Sequence, residues 1–172
     1  MARVPFVQET EMTPRQKEAH AKMKGATGNV GAVGRAMLHT PVLAERLRAV
    51  SDYNRFESKM DPQAREIVII TVGVALGSQI EVESHSKTAR KIGVREEVLQ
   101  AIKSGTTKGL LPKEAVYIDF TKEVMERRVK DSTFQAVEHL EGRQSAIDLI
   151  VLVGYYTLQA QLQSALGIKP GD

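Results

Sequence analysis

No feature narrows the fold as much as the run Ile67–Leu76, which is apolar apart from Thr71 and Gly73. It lies in a segment opened by Asp61-Pro62, a capping residue followed by proline at the first helical position. From Pro62 the segment is about fifteen residues long, against about 5–6 for an ordinary strand. Its β-branched residues would also suit a parallel strand, but no convincing second strand accompanies it. The reading is a helix, and a helix apolar on every side belongs at the centre of a helical domain. Gly77 breaks it. Ser78-Gln79-Ile80-Glu81 then fits the capping-box pattern. The second helix ends at Gly93, after Lys87, Arg90 and Lys91, which complement a helix C-terminus.

The same start and stop signals recur along the chain. Residues 1–12 read as an extended arm. Thr13-Pro14 opens a helix to about Lys24, Val30–His39 a short one, and Pro41–Phe56 a longer one. Further helices are predicted at Arg95–Ser104, Pro112–Val129 and Asp131–Gly142, the Asp131 helix with a Ser132-to-Gln135 box. The last, Gln144–Leu166, contains the apolar stretch Ile147–Tyr156. Aromatic residues make up only 5% of the chain and Trp is absent, a bias toward helix over sheet. The fold expected is all-α: one domain over residues 13–172, a bundle of about seven to eight helices.

Composition excludes several function classes. There is no cysteine, which removes disulfides, thiolate metal sites and thiol redox chemistry together. The net charge of +3 arises from 24 basic and 21 acidic residues that are well mixed. No basic stripe carries stacking aromatics, so no nucleic-acid partner is expected. The two apolar runs are too short to span a bilayer, and the first residues lack the apolar region of a signal peptide. A cytoplasmic protein with no membrane partner is expected. The glycine-rich GATGNVG, residues 25–31, resembles a dinucleotide-binding turn, yet it follows a polar helical stretch instead of the strand that motif needs. It reads as a turn between helices.

The chemistry-bearing residues gather around the central pair. Glu81 and His85 are four apart, on one helix face. A carboxylate beside an imidazole is a proton-transfer unit, because it fixes the ring tautomer and raises its basicity. Ser78 sits at the helix N-terminus, where backbone N–H groups favour an anionic group. Glu66 lies near the start of the preceding helix. Antiparallel packing across Gly77 would set it level with the far end of the second helix, separated from His85, unless the helices cross steeply or another subunit intervenes. Each residue also has an ordinary structural reading: Glu81 as capping-box glutamate, His85 as surface residue, Glu66 as dipole complement. A metal held by Glu66, Glu81 and His85 is not expected, because two carboxylates and one histidine that bind a metal usually show a more compact sequence signature.

The order Arg65, Glu66, Glu81, His85, Ala89, Arg90 and Gly93 resembles the carboxymuconolactone decarboxylase family, which is similar to alkylhydroperoxidase-D-like proteins. The likeness extends from about Thr13 to Tyr155 and Tyr156. It takes in Met37–Glu45, the break at Gly105 and the helix start at Leu111-Pro112-Lys113-Glu114. The peroxidase branch has Cys-x-x-Cys-x-x-x-His with a glutamate twelve residues before the first cysteine. Here Glu66 and His85 match that glutamate and histidine, while Ser78 and Glu81 stand at the two cysteine positions. A disulfide relay therefore cannot operate. Ile80 and Val82 replace the aromatics that flank the glutamate in many decarboxylase-like members. The resemblance implies a helical fold assembled as trimers or hexamers, with the site near a subunit interface.

It also implies a cofactor-independent, metal-free lyase or isomerase for a small carboxylated lactone or oxo acid. Glu66, Glu81 and His85 would be catalytic, and Ser78, Arg65 and His39 would bind substrate. The alternative is a non-catalytic oligomeric small-molecule-binding protein that keeps the fold.

Overall fold

The computed structural model describes residues 2–25 and 28–172. Among them all regular structure is helical. The helices are α1 (Pro14–Lys24), α2 (Ala32–Met37), α3 (Pro41–Asp52), α4 (Pro62–Ala75), α5 (Gln79–Lys91), α6 (Glu96–Ser104), α7 (Pro112–Met125) and α8 (Asp131–Leu166). A 3-10 turn, Glu9–Glu11, precedes α1, and a π-helical turn, Tyr53–Glu57, follows α3. No helix among the described residues is long and apolar enough to cross a membrane.

The chain forms two compact units, Ser58–Ala160 and Met1–Glu57 with Gln161–Asp172. In the Ser58–Ala160 unit, α4 is buried all round because two apolar clusters share it. Val68, Ile69 and Val72 pack with Phe120 of α7 and with Leu149, Leu152, Val153 and Tyr156 of α8. Ala64, Ile67 and Ile70 pack with Ala89 of α5, Val98, Leu99 and Ile102 of α6, and Tyr117 and Ile118 of α7. Each fully buried Ile or Val contributes roughly 1.5–3 kcal/mol, so α4 is the element whose burial most stabilises this unit. Its start is capped by Asp61, whose Oδ1 accepts from Gln63 N at 2.7 Å. The Asp61 N–H donates in turn to Glu141 Oε2 at 2.8 Å.

Several predicted boundaries change: α2 spans Ala32–Met37 instead of Val30–His39, and α3 gives way after Asp52 to the π-helical turn instead of running to Phe56. Helix α7 ends at Met125 instead of Val129, because Arg127 takes a left-handed φ of 58° and Arg128 N turns back to Glu123 O at 2.9 Å. The segment 131–166 is one continuous assignment, yet Gly142 has φ 79° and ψ 160°, so the predicted division there survives as a break inside α8. The start of α8 is served by Glu123, which accepts from Lys130 N and Thr133 Oγ1.

The other unit is built on α1–α3. Thr13 and Gln16 form a reciprocal capping box on α1, and Arg15 grips Glu45 of α3 through two hydrogen bonds of 2.7 and 3.0 Å. Met12, Ala19, Met23, Val30, Leu38 and Ala44 form its core. The N-terminal stretch is tied down by Arg3, whose backbone N–H donates to Leu166 O and whose side chain donates to Ala165 O, each at 2.7 Å. Of the glycine-rich turn, Ala26 and Thr27 lie outside the described residues; Gly25 is the C-cap of α1 and Gly31 the N-cap of α2.

Candidate functional site

His85 lies in the middle of α5 with only 6% of its surface exposed, although its sequence neighbours are polar. Burial of an imidazole has to be compensated by hydrogen bonds, and here both ring nitrogens have partners. Nδ1 lies 2.7 Å from Glu66 Oε2. Nε2 faces two oxygens, Glu81 Oε2 at 3.3 Å and Tyr156 Oη at 3.2 Å. The Tyr156 ring meets the imidazole edge-on, with centroids 5.1 Å apart. Glu66 is 2% exposed, and its second oxygen receives Arg65 Nε at 3.3 Å.

Glu66 and His85 thus meet within one chain. Glu66 is nine residues before the end of α4 at Ala75, and His85 six residues after the start of α5 at Gln79. At about 1.5 Å per residue these are axial distances of roughly 13 and 9 Å from the turn. In an antiparallel pair the two differ by only about 4–5 Å, which a glutamate side chain spans. The expected separation came from matching Glu66 against the start of α5, when His85 is the residue at its level.

Glycine makes the close approach of α4 and α5 possible. A Cβ at Gly73 would lie 3.0 Å from Val82 Cγ2 and 3.4 Å from both Glu81 Cβ and Val82 N. Ser78 N also donates to Gly73 O at 2.8 Å, closing the turn at Gly77, where φ is 66°. Ser78 acts as the N-cap of α5, its Oγ accepting from Glu81 N at 3.4 Å. The Glu81 side chain reaches His85.

Two opposing effects act on the imidazole. Burial disfavours its charged form, but hydrogen bonds to Glu66 and then Glu81, with their negative charge, outweigh it and raise the His85 pKa above the ordinary value of 6.5. With Nδ1 held by Glu66, Nε2 is the position whose proton is contested, between a carboxylate and a phenol. The arrangement can therefore hold a proton at Nε2 and pass it to, or take it from, a group placed against Glu81.

The structure brings together Glu66, Glu81, His85, Arg65 and Ser78. His39 belongs to the other unit, where its Nε2 lies 2.8 Å from Pro5 O. Tyr156 was missed as a functional residue, because a tyrosine in an apolar C-terminal helix, 71 positions from His85, carries no local signal. Among the described residues no three His, Asp or Glu side chains are arranged to hold a metal ion.

The sequence model of the carboxymuconolactone decarboxylase family matches residues 41–116, a span that contains Glu66, Glu81 and His85. A search of curated proteins gives no significant match. Among solved structures, the chain is similar to an alkylhydroperoxidase-D-core, peroxidase-related protein from Ralstonia eutropha, at 18% identity and a TM-score of 0.80, covering 99% of this chain and 93% of that one. It is similar to a debrominase variant in complex with 2,3,4-tribromopyrrole, at 13% identity and a TM-score of 0.75, covering 96% of this chain and 90% of that one. A peroxidase-related protein from Silicibacter is also similar, at 13% identity and a TM-score of 0.76, covering 99% and 92%. At these identities the structural likenesses establish the fold alone. Residues 41–116 are thus similar to the carboxymuconolactone decarboxylase family, and the cysteine-less chain has an alkylhydroperoxidase-D-like fold.

Proposed function

We propose that the protein is a cofactor-independent acid/base lyase or isomerase acting on a small carboxylated lactone or oxo acid. The observation that carries the proposal is the buried imidazole of His85 held between Glu66 and Glu81, with a contested proton at Nε2. In the decarboxylation, the bond between the substrate carbon and its carboxylate breaks and carbon dioxide leaves. The electron pair passes into the adjoining unsaturated group. His85 Nε2 then delivers a proton to that carbon, and the ring takes its replacement from solvent, relayed across the Glu81 carboxylate. In the isomerisation, Glu81 takes the proton from one carbon and His85 gives one back at another. Glu66 fixes the tautomer, and Arg65 is the cation we assign to the substrate carboxylate. No thiol peroxidase chemistry is available to a chain without cysteine. By analogy of fold alone, the debrominase relative with its bromopyrrole supports small unsaturated rings as the substrate class.

The test is turnover of a panel of lactones and β-keto acids across pH, with Glu81→Gln and His85→Ala beside the wild type. Turnover that both substitutions leave unchanged would overturn the site. A second reading, a non-catalytic binding protein, is favoured by the satisfied state of His85, whose ring nitrogens both have partners inside the fold. It gains if no panel member turns over while a small acid raises Tm.

A further inference from the structure

Both reactions assigned to the His85 site build negative charge, and the residues given a role so far leave that charge without a donor. When the carbon–carboxylate bond breaks, or when Glu81 takes a proton from carbon, the electron pair moves through the adjoining carbon onto a carbonyl oxygen. A buried enolate oxygen without a hydrogen-bond donor is costly, and a donor aimed at it is a large part of catalysis. Glu66 and Glu81, as carboxylates, only accept. Arg65 Nε lies 3.3 Å from Glu66 Oε1, and its charge is assigned to the substrate carboxylate. Ser78 caps the start of α5, about 10 Å from the level of His85 along the helix.

Tyr156 is the group in place. Its Oη lies 3.2 Å from His85 Nε2. Its ring is held from two sides, edge-on to the imidazole with centroids 5.1 Å apart and edge-on to Tyr155 at 5.4 Å. The residue is 6% exposed, so a polar contact made there is little weakened by water. A phenol both donates and accepts. When Nε2 carries the proton, Oη accepts from it, and the phenol's own O–H is directed away from the ring nitrogen.

The spacing of Oη and Nε2 also fits the chemistry. In an enolate the oxygen and the carbon that receives the proton are two bonds apart, about 2.4 Å at ordinary bond lengths. An oxygen held at about 2.7 Å from Oη allows that carbon to stand about 3–3.5 Å from Nε2, a reactive separation. One substrate meets both groups at once when the proton goes to the carbon next to the carbonyl.

We propose that Tyr156 is a catalytic residue of this site, whose hydroxyl donates to the substrate's carbonyl oxygen as it becomes an enolate while Nε2 serves the adjacent carbon. This role rests on the acid/base reading above. The phenol keeps its proton throughout. Once Nε2 has protonated the carbon, the electron pair on oxygen re-forms the carbonyl. Substrate exchanges the contact between Oη and Nε2 for one to the enolate, so the net effect is several-fold, below the roughly 10²–10³ of an oxyanion donor that gives up nothing.

The probes are tetronate, a lactone enolate that is anionic at neutral pH, and 2-furoate, a ring of similar size whose charge is a carboxylate. Calorimetry on the whole chain at constant ionic strength is expected to show saturable binding of tetronate. Tyr156→Phe keeps the ring and is expected to keep Tm; it should weaken tetronate several-fold and leave furoate unchanged. On any panel member that turns over, it should lower kcat several-fold at constant KM, because the donor acts on charge formed only in the transition state. Tetronate that fails to bind the wild type, or that folded Tyr156→Phe binds as tightly, would overturn the role of Tyr156 while leaving His85-dependent turnover intact. Equal weakening of tetronate and furoate would reduce Tyr156 to a structural residue. Turnover indifferent to His85→Ala would instead remove the reading on which the role rests.

Discussion

The Ser58–Ala160 unit holds two carboxylate–tyrosine clusters that differ in how their protons are placed. In the first, Tyr117 Oη donates to Glu141 Oε1 at 2.5 Å, and Glu141 Oε2 accepts the Asp61 N–H. Each Glu141 oxygen has one donor, and burial, then Glu141, push the Tyr117 pKa far up, so the phenol keeps its proton. This cluster ties the break before Gly142 to the start of α4 and has no proton to give. In the second, Nε2 of His85 lies between Glu81 and Tyr156, with one ring position for two oxygens. Similar groups at similar depth therefore suit different ends: a fully assigned proton makes a strut, and a contested one fits the acid/base role proposed for His85.

Substitution distinguishes the two clusters, beginning with the largest expected effect. His85→Ala is expected to lower turnover of any active panel member by about 10²–10⁴, the usual worth of a positioned acid/base group. Steady-state kinetics on folded protein checks it. Next, Glu66→Gln removes the stronger of the two contacts that raise the His85 pKa. The imidazole, followed by NMR, should titrate at lower pH than in the wild type, with turnover falling about tenfold or more. An unmoved titration would remove Glu66 from its positioning role.

Stability should respond to the same linkage. The folded-state pKa of His85 lies above its unfolded value, so its contribution is fully present below about pH 6.5 and is lost as pH rises through the folded-state value. The Tm advantage of wild type over His85→Gln should therefore shrink as pH rises above about 6.5. An advantage that grows over that window would contradict the assignment.

The strut should behave in the opposite way. Tyr117→Phe leaves Glu141 Oε1 without its donor and should cost about 1–3 kcal/mol in denaturant unfolding, with turnover per folded molecule unchanged. The smallest effect is expected for Tyr156→Phe. It keeps the edge-on ring contact and removes one of two partners of Nε2, so kcat should change only several-fold and Tm by little. A loss as large as that of His85→Ala would make Tyr156 a direct proton donor.

Much of the fold was legible in the chain. Asp61-Pro62, Thr13-Pro14 and Gly105 marked helix ends because capping and left-handed conformations are local properties. The end of α7 was not legible, since Arg127 adopts a left-handed turn without being glycine. The site was half legible. Glu81 and His85 declared themselves by their spacing on one helix, whereas the burial of His85 among polar neighbours depends on what α4 and α8 place over it.

The sequence by itself determined the helical class, the central position of α4 and the exclusion of thiol chemistry, because periodicity, capping and residue inventory are properties of the chain. Tertiary structure alone decided that Glu66 reaches His85 within one chain, that Tyr156 joins them from 71 residues away, and that Gly73 lets the helices close on one another. Those outcomes depend on helix register and side-chain depth. They are set by how α4, α5 and α8 pack, and no local pattern encodes that packing.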